Sequence, residues 1–168
     1  MTSKLKTDIL ETVSGSGTIA LTNQLSGMTS ASMPAGSVIQ VARTGYPSSS
    51  QITVANAARA DLMTITMTVR ANSKVMMWFE SGQISGHTAV TNANVFFRVD
   101  GTDVDNGTNH YFYGAAMRPS ISKIILTTSA LSAGSHTFTV SGSSYDGNIG
   151  YNFQGINSGS FMIQEIAG

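Results

Sequence analysis

From Ser37 onward the chain alternates apolar and polar residues with a period of two. The clearest run is Asp61–Ala71, DLMTITMTVRA, with Met63, Ile65, Met67 and Val69 on one face. Leu62, Thr64, Thr66, Thr68 and Arg70 fall on the other. Successive side chains of a strand point to opposite sides of the pleat, so this period marks a half-buried strand. KVMMWFES follows after Asn72-Ser73, a turn signal, and the two runs are predicted to pair as a hairpin. SVIQVAR is a compact β-branched run, and NVFFRVDGTDV carries an Asp100-Gly101 turn between two strand-like arms. HYFYGAAM, SKIILTTS, SHTFTVSGS, IGYNFQG and GSFMIQEIA read as further short strands, separated by Gly, Ser, Asn and Asp. A helical period is visible only in ANAARADLM, enough for a turn or two. About eight to ten short strands in roughly 130 residues predict an all-β fold, an antiparallel β-sandwich or jelly roll. No repeat suggests a solenoid or propeller.

Residues 1–35 behave differently. SKLKTDILETVSGSGTIALTNQLSGM, from Ser3 to Met28, spaces Leu5, Ile9, Leu10, Val13, Ile19, Leu21 and Leu25 among polar residues and a Gly-Ser-Gly break. Such a segment cannot bury itself, but it can lie extended along another protein and add main-chain hydrogen bonds. The alternative is a first edge strand and loop of the same sandwich. Pro34 and Gly36 punctuate its end. The reading is an extended N-terminal docking or intertwining arm over 1–35 and a β-sandwich head over 36–168.

Composition adds to this picture. Charged residues make up 11% of the 168, against about a quarter in a typical soluble domain. With 23 serines, 19 threonines and 17 glycines, the surface is expected to carry hydroxyls and amides. The formal net charge of zero argues against nucleic acid as a partner. It also gives a lone monomer little colloidal protection, which favours a surface partly hidden in an assembly. Absence of cysteine excludes disulfides, thiolate metal sites and thiol nucleophiles. MTSKLKTDIL lacks the apolar run of a signal peptide, so the expectation is synthesis in a reducing cytoplasm and release by lysis. No apolar run approaches the roughly 20 residues of a membrane helix, and no membrane insertion is expected.

Little in the chain points to catalysis. His136, in LSAGSHTFTV, reads as a strand-entry histidine bonded to a turn, and His87 and His110 have no partner by spacing. Asp100, Asp103, Asp105, Asn106 and Asn109 gather hard oxygen atoms of the kind Ca²⁺ takes. The EF-hand order is absent and no Glu closes the set, so a solvated hairpin end accounts for them. No phosphate loop, dinucleotide fingerprint, nucleophile elbow or zinc-helix motif is present. Neither an enzyme nor a metal or other cofactor is expected. Tyr111 and Tyr113 alternate with Phe112, which places the tyrosines on one face and Phe112 on the other. Tyr111, Tyr113 and Tyr145 are the candidates for a ligand or subunit-contact surface, with Tyr46 and Tyr151 as further tyrosines to place. Met76, Met77 and Trp78 are expected in the core.

The segment Ser3–Met28 followed by PAGSVIQV resembles the start of bacteriophage virion appendage proteins, especially those of phages of marine bacteria and cyanobacteria. The closing LSAGSHTFTVSGSS and SGSFMIQEIAG resemble the last strands of jelly-roll heads in phage fibres. That resemblance implies a virion structural protein: a short fibre, spike or decoration subunit. It implies a homotrimer, attached to other virion proteins through residues 3–28, with Leu131–Val140 and Phe161–Ile166 as framework. A tail-fibre or spike subunit that presents its head to a host-surface glycan or protein is the first expectation. A capsid decoration (head fibre or cement) protein and a free carbohydrate-binding module are the alternatives.

Overall fold

The computed structural model describes residues 33–47, 49–86, 90–113, 118–145, 147–152, 155 and 159–168, with backbone alone for 90–91 and 112–113. The arm residues Leu5, Ile9, Leu10, Val13, Ile19, Leu21 and Leu25, together with His87, Asp146 and the Tyr113 side chain, lie outside the described residues.

The described residues form an all-β, antiparallel fold. Its strands are β1 (Val38–Thr44), β2 (Ile52–Val54), β3 (Arg59–Val69), β4 (Lys74–Glu80), β5 (Ser85–Gly86) and β6 (Val90–Val99). They continue as β7 (Thr102–Asp103), β8 (Thr108–Tyr113), β9 (Ser122–Leu126), β10 (Gly134–Ser144), β11 (Ile149–Tyr151) and β12 (Ser160–Ile166). One sheet has the order β1-β12-β4-β9. The opposing sheet has the order β3-β10-β6, with both β7 and β8 on the far edge of β6. A short third sheet, β2-β11-β5, adds Val54, Ile149 and Tyr151 to the same core.

The core forms where the inner sets of the two sheets meet. β4 and β12 send in Val75, Met77, Phe79, Phe161 and Ile163, while β3, β10 and β6 send in Met63, Ile65, Met67, Phe138, Val140, Val95 and Phe97. Phe97 and Phe161 stack across the interface with ring centroids 5.9 Å apart. Burying each such side chain contributes about 1.5–3 kcal/mol. Gly142 is needed for close packing, because a Cβ there would lie 2.5 Å from the fully buried Tyr151 ring.

Asp100 (φ 49°) and Gly101 (φ 79°) make the expected two-residue turn between β6 and β7, in the left-handed geometry that such hairpins use. Three expectations are corrected. β3 and β4 do not pair as a hairpin; β3 joins β10, while β4 joins β12 and β9. The link Arg70–Ser73 carries the chain from one sheet to the other, with Asn72 at φ 65°. Leu62 does not face solvent: a β-bulge opposite Val140–Ser141 adds one residue, so Leu62 and Met63 are both buried. ANAARADLM forms a turn around Ala57 (φ 57°) and then β3, with no helix.

Glu165 holds the crossover. It lies on the inner face of β12 and is fully buried. Its Oε1 accepts from Arg70 N at 2.8 Å and Ser73 Oγ at 2.6 Å, and its Oε2 accepts from Gln40 Nε2 at 2.5 Å. Burial alone pushes the carboxyl up, but these bonds from Ser73, Arg70 and Gln40 outweigh it and hold the group below its ordinary value. One carboxylate thereby ties β12, β1 and both ends of the β3–β4 link.

Candidate functional site: two unlike outer faces

The Asp-rich segment is spent on internal pairs. Asp103 takes Arg59 in a two-pronged contact at 2.7 and 2.8 Å, and Arg59 lies 4.1 Å over the Phe96 ring. Arg98 reaches Asp61 at 3.1 Å, and the same Asp61 oxygen accepts from Ser141 Oγ at 2.6 Å. The bonded Arg59 holds the Asp103 carboxyl below its usual range, and Asp103 in turn raises the guanidinium. Asp105 points the other way, to Lys123, whose Nζ lies 2.5 Å from Asp105 Oδ2 and donates to Val95 O at 2.6 Å. Asp100 accepts from Thr137 N at 2.8 Å and sits 2.6 Å from His136 Nδ1, while His136 Nε2 bonds Ser132 O. Asp100 thus falls below its ordinary pKa, first through Thr137 N and then through His136, and the Asp100 bond raises His136. His136 is a turn-bonded strand histidine, as its sequence setting suggests. Three aspartates with three separate basic partners do not converge, and no cluster of His, Asp and Glu among the described residues can hold a metal ion.

His110 alternates with the tyrosines of β8 and faces inward opposite Ala93; burial, and then Lys123, lower its pKa. Tyr46 and Tyr151 are core residues. Tyr46 donates to Ser81 O at 2.7 Å and Tyr151 to Asn94 O at 3.2 Å, and burial raises both phenols.

Tyr111 and Tyr145 are the exposed pair. Asn92 on β6 sits directly opposite Tyr111 on β8, and the Tyr145 amide at the end of β10 donates to Asn92 O at 3.3 Å. Since β6 buries Ala93, Val95, Phe97 and Val99 in the core, Asn92 and Asn94 belong to its outer set. The structure therefore brings Tyr111, Asn92 and Tyr145 into one row across three strands, with Ser143 and Asn94 in the next row on the same side. The tyrosines are 56% and 55% exposed, whereas Asn92 and Ser143 between them are 6% and 7% exposed. Asn92 Oδ1 and Ser143 Oγ are buried without a hydrogen-bond partner. An unsatisfied buried polar atom costs about 1–3 kcal/mol.

The outer face of β1-β12-β4-β9 has the opposite character. Register places Arg43, Met162, Trp78 and Ile124 in one row and Val41, Gln164, Met76 and Leu126 in the next. Val41, Trp78, Ile124 and Leu126 are between 42% and 57% exposed. A shallow cavity of about 340 Å³ opens beside Trp78, lined by Arg43, Glu80, Ser160 and Met162. Trp78 is consequently not a core residue. In KVMMWFE the inner positions Val75, Met77 and Phe79 leave Met76 and Trp78 facing out. The available sequence signal was that β4, β9 and β12 carry apolar residues at both phases of the alternation, more than one core can use.

The sequence matches no protein-family model and no curated protein. Among solved structures, it is similar in strand layout to the infectious bursal disease virus particle of the Gx strain. The identity is 12% and the TM-score 0.41, covering 76% of this chain and 37% of the viral one, so the chain spans little over a third of that protein. A family 35 carbohydrate-binding module from an environmental isolate is 16% identical with a TM-score of 0.36, covering 79% of this chain and 83% of the module. The sugar-binding C-terminal domain of EclA is 12% identical with a TM-score of 0.35, covering 86% and 99%.

Proposed function

We propose that the chain is a non-enzymatic structural subunit of a virus particle. In this reading it is a tail-fibre or spike subunit attached through residues 1–35, whose head assembles as a homotrimer and faces the host surface. One observation carries the assembly half: the apolar outer face of β1-β12-β4-β9, where Val41, Trp78, Ile124 and Leu126 are each about half exposed. Contiguous apolar patches of this kind on a soluble head mark interaction sites. The occupant is a second copy of the chain. Arg43 and Glu80 stand at the rim of the Trp78 cavity, and in a head-to-tail ring Arg43 of one copy meets Glu80 of the next. The low surface charge fits a face that is covered in the working state.

Sedimentation equilibrium of the full chain tests this. The expected species is three times the 17.6 kDa chain, and Trp78→Glu or Ile124→Asp, both on exposed positions, returns it to monomer with its fold intact. A wild-type monomer at micromolar concentration, or a trimer that survives both substitutions, overturns the proposed interface.

A further inference from the structure

On the other outer face, Asn92 Oδ1 and Ser143 Oγ are buried with no hydrogen-bond partner. Arg98 Nε on the same sheet also lacks a hydrogen bond but lies against Asp103, and His110 Nε2 belongs to the inward-facing set. Buried polar groups of native proteins are nearly always satisfied, so an orphan on an outer face points to a partner from outside the chain. Its setting says which chemistry that partner carries. Adjacent strands are about 4.8 Å apart, so Tyr111 and Tyr145 flank Asn92 from two strands roughly 10 Å apart. The asparagine forms the floor and two half-exposed aromatic side chains form the sides. Among the described residues of this sheet, Arg59, Arg98, Asp61 and Asp103 are paired with one another, so these groups leave the row little net charge for an ionic ligand. Aromatic faces against C–H bonds, together with a neutral amide and a hydroxyl, match a ring that is apolar on its faces and hydroxylated at its edge.

We propose that the Tyr111–Asn92–Tyr145 row binds a neutral saccharide. A sugar hydroxyl donates to Asn92 Oδ1, and a second bonds Ser143 Oγ. The terminal torsion of asparagine is soft, so the oxygen turns toward a hydroxyl arriving between the rings. The inference names a ligand class for the head and rests on the host-surface half of the reading above. It is independent of the assembly half, because Trp78 and Ile124 lie on the opposite sheet.

The test is binding of the full chain to an array of neutral oligosaccharides of glucose, galactose, mannose and N-acetylglucosamine, with sialylated and sulfated glycans alongside. The expected result is binding to at least one neutral glycan, weakened about tenfold by Asn92→Ala, equivalent to ~1.4 kcal/mol. Tyr111→Ala and Tyr145→Ala, at exposed positions that the core does not need, weaken it at least as much while the subunit mass is unchanged. No neutral glycan bound, a preference for the charged glycans, or binding undiminished in both tyrosine variants overturns the proposal. In each of those cases the sedimentation result still decides the assembly reading separately.

Discussion

Replacing Glu165 by glutamine changes one buried oxygen into an NH₂ group and removes a charge, with almost no change of shape. The amide oxygen can keep Arg70 N and Ser73 Oγ, which now donate to a neutral acceptor. Each weakens by about 1 kcal/mol, the difference between bonds to charged and to neutral groups. The new NH₂ meets Gln40 Nε2, which is itself a donor. Gln40 cannot flip to relieve this, because the same nitrogen donates to Thr68 O at 2.6 Å. One bond is therefore lost and a donor stranded, at about 1–3 kcal/mol. Glu165→Gln should cost about 3–5 kcal/mol, a large part of the ~5–15 kcal/mol that holds a domain together.

Urea unfolding of the wild type and Glu165→Gln at equal protein concentration checks this, first at pH 7. The pH dependence checks the charge. The folded carboxyl lies below its ordinary value, so its contribution is fully present above the unfolded pKa of roughly 4.3 and is lost as pH falls through the folded one. The gap between the two proteins should stay wide from pH 7 to about 5 and narrow below that. A loss under ~1 kcal/mol at pH 7, or a gap that stays constant down to pH 3, would refute the account of Glu165 as an ionised three-donor acceptor.

Lys123→Met strands Asp105 beside the core and should destabilise by about 3 kcal/mol in urea, with Lys123→Met/Asp105→Asn recovering at least half; a double variant no better than the single one counts against the pair. The single variant should also aggregate faster by light scattering, because β9 is an edge strand and Lys123 is its inward-pointing charge. The His136–Asp100 pair contributes only where both are charged, since the raised histidine loses its share as pH rises through its folded pKa and the lowered aspartate loses its share as pH falls through its own. His136→Ala should therefore cost more at pH 5 than at pH 8, by less than about 1 kcal/mol because Asp100 is half exposed, and melting temperatures in the reverse order would sink this assignment.

The alternation in Asp61–Val69 made β3 legible, because one face of a strand must be apolar whatever it pairs with. It said nothing about which sheet the strand joins. β3 and β4 adjoin in sequence and each buries one face, so a hairpin and a sheet-to-sheet crossover look alike until Glu165, more than ninety residues later, is placed on the link. Leu62 misled for a related reason: a bulge shifts phase without changing composition. Residue type alone assigns Trp78 to the core, whereas its phase in KVMMWFE opposes that of the buried Met77. Tyr111 and Tyr145 could be named as exposed candidates from local alternation and loop context. Asn92 could not, because its importance comes from β10 and β8 closing on either side of β6, a register that no local spacing encodes.

The distribution of charge bears on how such a head recognises anything. Arg59, Arg98, Lys123 and His136 are all turned onto aspartates of the same chain, and Glu165 is sealed inside the sandwich. Those groups therefore specify the fold: they fix the β6–β7 turn, the β7–β8 loop and the β3–β4 crossover, where backbone geometry is least determined by strand pairing. Because they are consumed internally, they leave little long-range field to steer a partner. On the readings proposed above, selectivity comes from short-range terms: apolar area with the Arg43 and Glu80 rim on one outer face, and neutral hydrogen bonds with aromatic contact on the other. Both terms depend on a rigid presentation of side chains from strands. The close-packed core and the buried carboxylate supply that rigidity, so the least charged surfaces of this protein depend for their shape on its most buried charge.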